Sequence, residues 1–162
     1  MTVEDLAKKI DLSLLGPAAT KKEIEVLAER AGIYPFATLC IPPSYVKYAQ
    51  LLLKGRLKIS TVIGFPLGYQ TRKAKFFEAR EAAKGGAAEL DMVMNISAFK
   101  SGDFGLCEKE ISEIVSKLPD TLIKVIIECA YLTDDEKIRA VDMTRRALCK
   151  DIHRLWPERG NG

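Results

Sequence analysis

From residue 10 onward the chain alternates two patterns. Short runs dense in Val, Ile, Leu and other apolar residues fall at 10–15, 36–41, 58–65, 88–94 and 121–129. Between them, apolar residues recur every three or four positions. The first pattern reads as strands and the second as amphipathic helices. Helix signals bracket the second pattern. Thr20 and Glu23, and again Thr133 and Glu136, have the spacing of a capping box, with the Thr as N-cap and the Glu reaching back. Ser44 stands where it could cap a helix through Leu53, and Gly32, Gly55 and Gly85-Gly86 stand where helices should stop. A short amphipathic helix over 3–10 precedes the first strand. The predicted order is five successive βα units. The last three strands are near-continuously apolar, as parallel strands covered on both faces are. Such repeats build either a doubly wound sheet or a barrel. No linker or repeat marks a second domain.

Composition narrows this little. The 162 residues, 48% apolar and 29% charged, suit one ordinary globular domain. The net charge of +3 is spread over 25 basic and 22 acidic residues, which argues against a nucleic-acid or membrane partner. The cysteines (Cys40, Cys107, Cys129, Cys149) form no C-x-x-C pair and His153 is the sole histidine, so no metal site is expected. Buried, reduced thiols are the expectation. The acidic N-terminus lacks an apolar signal core, and no apolar run reaches the ~18 residues of a membrane span. A cytoplasmic location is expected by elimination.

The candidate chemistry lies in charges set inside apolar strands. Asp91 sits within the fourth run, and a buried strand tolerates a carboxylate only if it is paired or working. An ion pair with Lys124 and a functional carboxylate are both open for it. Lys124 and Glu128 are four residues apart, so strand alternation puts them on one face. Lys124 reads as the neutralising partner of Asp91 and Glu128 as a positioning group. Asp11 ends the first strand, as a pocket residue or as a turn residue. Cys40 faces the core or the pocket, with an inert buried thiol as the plainer reading. Gly64-Phe65-Pro66-Leu67-Gly68 is a strand-to-helix turn that could bring backbone N–H groups near a ligand.

Taken together, several segments resemble deoxyribose-phosphate aldolase. They are Cys40-Ile41-Pro42-Pro43-Ser44-Tyr45-Val46, Thr61-Val62-Ile63-Gly64-Phe65-Pro66-Leu67-Gly68, Phe77-Glu78-Ala79-Arg80-Glu81-Ala82, Glu89-Leu90-Asp91-Met92-Val93 and Lys124-Val125-Ile126-Ile127-Glu128. The resemblance implies a (β/α)8 barrel and a class I aldolase needing no metal or other cofactor. The family cleaves 2-deoxy-D-ribose 5-phosphate to glyceraldehyde 3-phosphate and acetaldehyde through a lysine Schiff base. It implies a proton-relay role for Asp91 and a substrate pocket near Asp11, Cys40, Lys124 and Glu128. The expected fold is a partial TIM barrel over 1–147, of about five βα units after the short N-terminal helix.

The departures from the family matter too. Where it often reads D-H-T-L-L-K-P, this chain has Asp11-Leu12-Ser13-Leu14-Leu15-Gly16-Pro17, and no K-T-S-T-G-type motif follows the fifth helix. The tail over 148–162 fits no strand pattern. Synonymous codons exist that encode it in one frame and V-K-T-S-T-G-F-G-P-R-G-A-T one base later, which predicts a shifted reading frame. Lys150 then falls near the Schiff-base position but with foreign neighbours, as an ordinary exposed tail lysine. Two functions follow. One is an aldolase by descent, acting on a sugar phosphate or aldehyde, weak or inactive as an isolated chain. The other is a dead partial barrel, or a scaffold needing a complementing chain. Unpaired outer strands would favour a homo-oligomer.

Overall fold

The computed structural model of the chain describes residues 1–148. Five strands, β1 (Asp11–Ser13), β2 (Thr38–Ile41), β3 (Ile59–Ile63), β4 (Glu89–Val93) and β5 (Leu122–Ile126), alternate with helices. Helix α1 (Val3–Ala7) leads. Then come α2 (Lys21–Arg30), α3 (Val46–Leu53), α4 (Arg72–Lys84), α5 (Ile96–Lys100), α6 (Phe104–Lys117) and α7 (Asp134–Leu148). All pairings are parallel, in the order β1-β2-β3-β4-β5. A doubly wound sheet reverses its strand order at a switch point. None occurs among these strands, so the sequential order is that of the first five units of a (β/α)8 barrel.

Each strand is shorter than its apolar run, because residues at both ends belong to the connecting loops. The capping boxes form as their spacing requires. Thr20 and Glu23 exchange bonds at the start of α2, and Thr133 and Glu136 do so at α7. Ser44 does not cap α3: it lies inside a 3-10 turn, Pro43–Tyr45, that leads into the helix without a side-chain cap. Helix α5 is an element that the apolar pattern does not predict. Its N-cap is Asn95, which accepts from Ala98 N–H, and its Phe99 is buried.

The outward residues of the central strands carry the core. Leu39, Ile41, Ile59, Ile63, Leu90 and Met92 are fully buried beneath helix residues such as Ile24, Ala49, Ala79 and Ile111. The alternate residues (Asp11, Thr38, Cys40, Ser60, Glu89, Asp91 and Lys124) point inward and are mostly polar. The helices thus supply the apolar burial, and the concave face is left to polar groups.

Candidate active site

Lys124 is the only lysine within the described strands, and its ammonium is the centre of the concave face. It lies 2.7 Å from Asp11 Oδ2, 3.1 Å from Glu89 Oε2 and 3.1 Å from Asp91 Oδ1. The register explains two of these contacts. Asp91 is directly opposite Lys124 across β4 and β5, and Glu89 is opposite Leu122, one same-face step earlier. The third comes from the far side of the sheet. Asp11 also accepts from Thr38 Oγ1 at 2.6 Å, and Thr38 shares a 2.7 Å hydrogen bond with Ser60. Cys40 Sγ donates to Asp91 Oδ2 across 3.8 Å, a long contact even for sulfur. Asp91 Oδ1 is buried and has no directed donor, since the Lys124 approach satisfies distance but not hydrogen-bond angle.

Three carboxylates around one ammonium leave an excess of negative charge, and the groups divide it unequally. Burial pushes the Asp91 carboxyl above the usual carboxylate range, and the close ammonium of Lys124 only partly offsets this. Burial acts on Asp11 in the same sense, but hydrogen bonds from Lys124 and Thr38 outweigh it and hold that carboxyl below its usual range. Burial alone would lower Lys124; its hydrogen bond to Asp11 and its close approach to Asp91 and Glu89 win and drive it well above the normal lysine range. Burial also raises the Cys40 thiol, with Asp91 adding to the effect, so this sulfur is held as the protonated thiol. Two carboxylates pushed apart in this way can take different roles: Asp91 can hold and release a proton, while Asp11 serves as a fixed counter-ion.

The structure brings together Asp11, Cys40, Asp91 and Lys124 as a single network; of its contacts, the sequence offers only the pairing of Asp91 with Lys124. It adds Glu89, Thr38 and Ser60. Glu89 was legible, since it stands two residues before Asp91 and so shares its face. Glu128 does not join them. Strand β5 ends at Ile126, and Glu128 adopts a left-handed conformation (φ 51°) that opens the 3-10 turn Cys129–Tyr131. The alternation that would align it with Lys124 therefore does not extend that far. Cys129 is exposed, against the expectation of a buried thiol, whereas Cys40 and Cys107 are buried. Lys150, Cys149, His153 and Trp156 lie outside the described residues. Among the described residues, no group of three or more His, Cys, Asp or Glu side chains is arranged to hold a metal, and no helix is long and apolar enough to cross a membrane.

The C-terminal strand ends also carry a hollow. A cavity of ≈ 270 Å³ opens between the loops after β1, β2 and β3, lined by Leu15, Pro17, Pro42, Tyr45, Phe65 and Glu78 among others. None of the lumen carboxylates lines it. The chemistry is therefore assigned to the charged network rather than to this hollow.

Known proteins share both sequence and architecture. The deoxyribose-phosphate aldolase of Thermoanaerobacter pseudethanolicus is 50% identical over 147 residues, covering 88% of this chain and 66% of the relative. That of Clostridioides difficile is 47% identical over 141 residues, covering 87% of this chain and 64% of the relative. The chain thus spans about two thirds of the length of these relatives. Among solved structures, the aldolase QR15 superposes with a TM-score of 0.85 at 38% identity, covering 88% of this chain and 64% of that one. The deoxyribose phosphate aldolase from Aeropyrum pernix, described as a tetramer, superposes at 0.82 with 35% identity, covering 89% and 61%. No family model matches. On sequence identity, strand order and fold together, this chain belongs to the deoxyribose-phosphate aldolase family.

Proposed function

We propose that the chain carries the proton-relay half of a class I aldolase site and not its covalent half. The observation that carries this reading is the state of Lys124. An amine attacks a carbonyl only when neutral. Lys124 is held firmly as the ammonium by three carboxylates, so it orders the site and does not attack. Asp91, buried and with its carboxyl raised, is the group suited to pass a proton to and from a bound aldehyde or sugar phosphate. In the full reaction such a relay serves an iminium formed on a lysine. The only strand lysine among the described residues is committed to ion pairing.

The isolated chain is accordingly weak or inactive toward 2-deoxy-D-ribose 5-phosphate. Loss of the covalent step removes most of an enhancement that is typically ~10⁶-fold or more. A second reading, a scaffold completed by another chain, is favoured by the free outer edges of β1 and β5, each paired on one side only among the described strands. Homo-oligomerisation through these edges belongs to the same reading, whereas action on a sugar phosphate or aldehyde in the cytoplasm belongs to the first.

Trapping with borohydride tests the proposal. The chain is incubated with acetaldehyde or 2-deoxyribose 5-phosphate, reduced, and mapped by mass spectrometry. No adduct on a folded chain is expected. A stoichiometric adduct at Lys124 would contradict the ion-pair role, and one at Lys150 would show that the covalent half is present after all.

A further inference from the structure

A second buried charge pair lies away from the lumen. Lys75 on α4 and Glu110 on α6 meet at 2.9 Å, with side chains 0% and 1% exposed. Two ions taken that far out of water gain little net stability, and an apolar pair of similar volume is often at least as stable. Their placement suggests a different use. Strand β3 pairs with β4 only as far as Ile63↔Met92, and the chain then turns away through Gly64–Gly68. Past that point the Val93 carbonyl takes its hydrogen bond from Lys75 Nζ, at 3.1 Å. A buried carbonyl left without a donor is costly, so this bond lets β4 run on beyond its partner. The same strand end is held elsewhere too. Met94 N–H donates to Ile126 on β5 at 3.0 Å. Glu78 accepts from Gly64 N–H at 2.8 Å, fixing the turn that lies against it.

Asp91 stands two residues before Val93 on the same strand face. We propose that Lys75 and Glu110 are positioning residues for Asp91: Glu110 fixes the Lys75 ammonium, the ammonium fixes the Val93 carbonyl, and the end of β4 thereby holds the Asp91 carboxylate in the lumen. There it faces Lys124, Cys40 and the neighbouring charges of Asp11 and Glu89. The inference deepens the relay reading of Asp91 and rests on it for its functional meaning, while the geometry stands by itself.

The test follows the Asp91 carboxyl by carbon NMR titration and the Met94 amide by hydrogen exchange, in the full chain. The paired variant Lys75→Met/Glu110→Leu removes both charges together, so neither is left buried without its partner and the chain should still fold. Its Asp91 titration should nevertheless move down toward the ~3.9 of a free aspartate, because a loosened strand end admits water to a group raised by burial. Met94 exchange should rise roughly tenfold, the equivalent of one charged hydrogen bond. Glu110→Gln, which keeps volume and leaves Lys75 in place, should shift both readouts in the same direction by less. A folded variant of either kind with the parent's Asp91 titration and Met94 exchange would overturn the proposal. Borohydride trapping reads the proposed function separately: an adduct at Lys124 in the parent chain sinks the ion-pair reading of that lysine and leaves these two readouts unaffected.

Discussion

Lys124 on the fifth strand reaches Asp11 on the first at 2.7 Å, although the sheet places four strand-to-strand steps between them. In a flat sheet, steps of ~4.8 Å would hold the two backbones about 19 Å apart. The contact therefore requires the sheet to curl, and it ties the two outer strands together across the concave face. Removing the ammonium should loosen this tie and leave three carboxylates facing one another. Lys124 is 37% exposed, so solvent screens part of the loss. Lys124→Met should destabilise the chain by about 1–2 kcal/mol, between the limits for exposed and buried pairs, read as a lower urea midpoint at pH 7. An unchanged midpoint would mean that the pair contributes nothing to curvature.

The same pair predicts how stability depends on pH. Asp11 has a lowered carboxyl, so its contribution is present above the unfolded value of ~3.9 and is lost as pH falls through the lower folded one. Lys124 is raised, so its contribution is full below the unfolded value of ~10.4 and is lost as pH rises through the higher folded one. Stability should hold between these limits and fall at both ends. In Lys124→Met both falls should be shallower.

Asp91 should behave in the opposite sense to Asp11. Its carboxyl is raised, so the fold favours the protonated acid, and ionisation at neutral pH is a burden on stability. Asp91→Asn mimics the protonated form. It should raise the urea midpoint at pH 7, with the gain disappearing as pH falls toward ~4. A variant less stable than the parent at pH 7 would mean that the ion pair with Lys124 outweighs burial. Stability given up at a working group is common in enzymes, and it fits a carboxylate kept for chemistry.

The turn between β3 and α4 separates backbone strain from steric conflict. Gly68 has φ +72°, and a Cβ there would come within 2.1 Å of the Met94 carbonyl oxygen. Gly55 has a similar φ of +79° and open space around it. Gly55→Ala should cost about 1–2 kcal/mol, the penalty of the left-handed conformation alone. Gly68→Ala carries the same strain plus a clash with backbone that cannot yield, and should cost at least about 3 kcal/mol. Thermal unfolding of the two variants gives the comparison directly; equal losses would remove the clash from the account.

The sequence carried the order of elements well, because five apolar runs and two capping boxes are local signals. It also carried Asp91 and Lys124, since a charge inside an apolar strand is conspicuous wherever the sheet goes. The contact between Asp11 and Lys124 was not legible: 113 residues separate them, and only the curl of the sheet brings them together. Thr38 and Ser60 are ordinary strand residues until the Asp11 carboxylate gives the Thr38 hydroxyl a partner and Thr38 in turn bonds Ser60. Glu128 failed for a simpler reason, because the apolar pattern continues past the point where β5 leaves the sheet. Helix α5 was missed because five residues are too few to show a period, and its Asn95 cap resembles a turn residue.

Reductive trapping decides whether the described residues hold the relay of an aldolase site with Lys124 fixed as an ion-pair partner. With acetaldehyde and borohydride at neutral pH, peptide mapping of the folded chain should find Lys124 unmodified and no stoichiometric adduct at any lysine, alongside negligible cleavage of 2-deoxyribose 5-phosphate. A single specific adduct at Lys124, accompanied by turnover of the sugar phosphate, would contradict that ion-pair role.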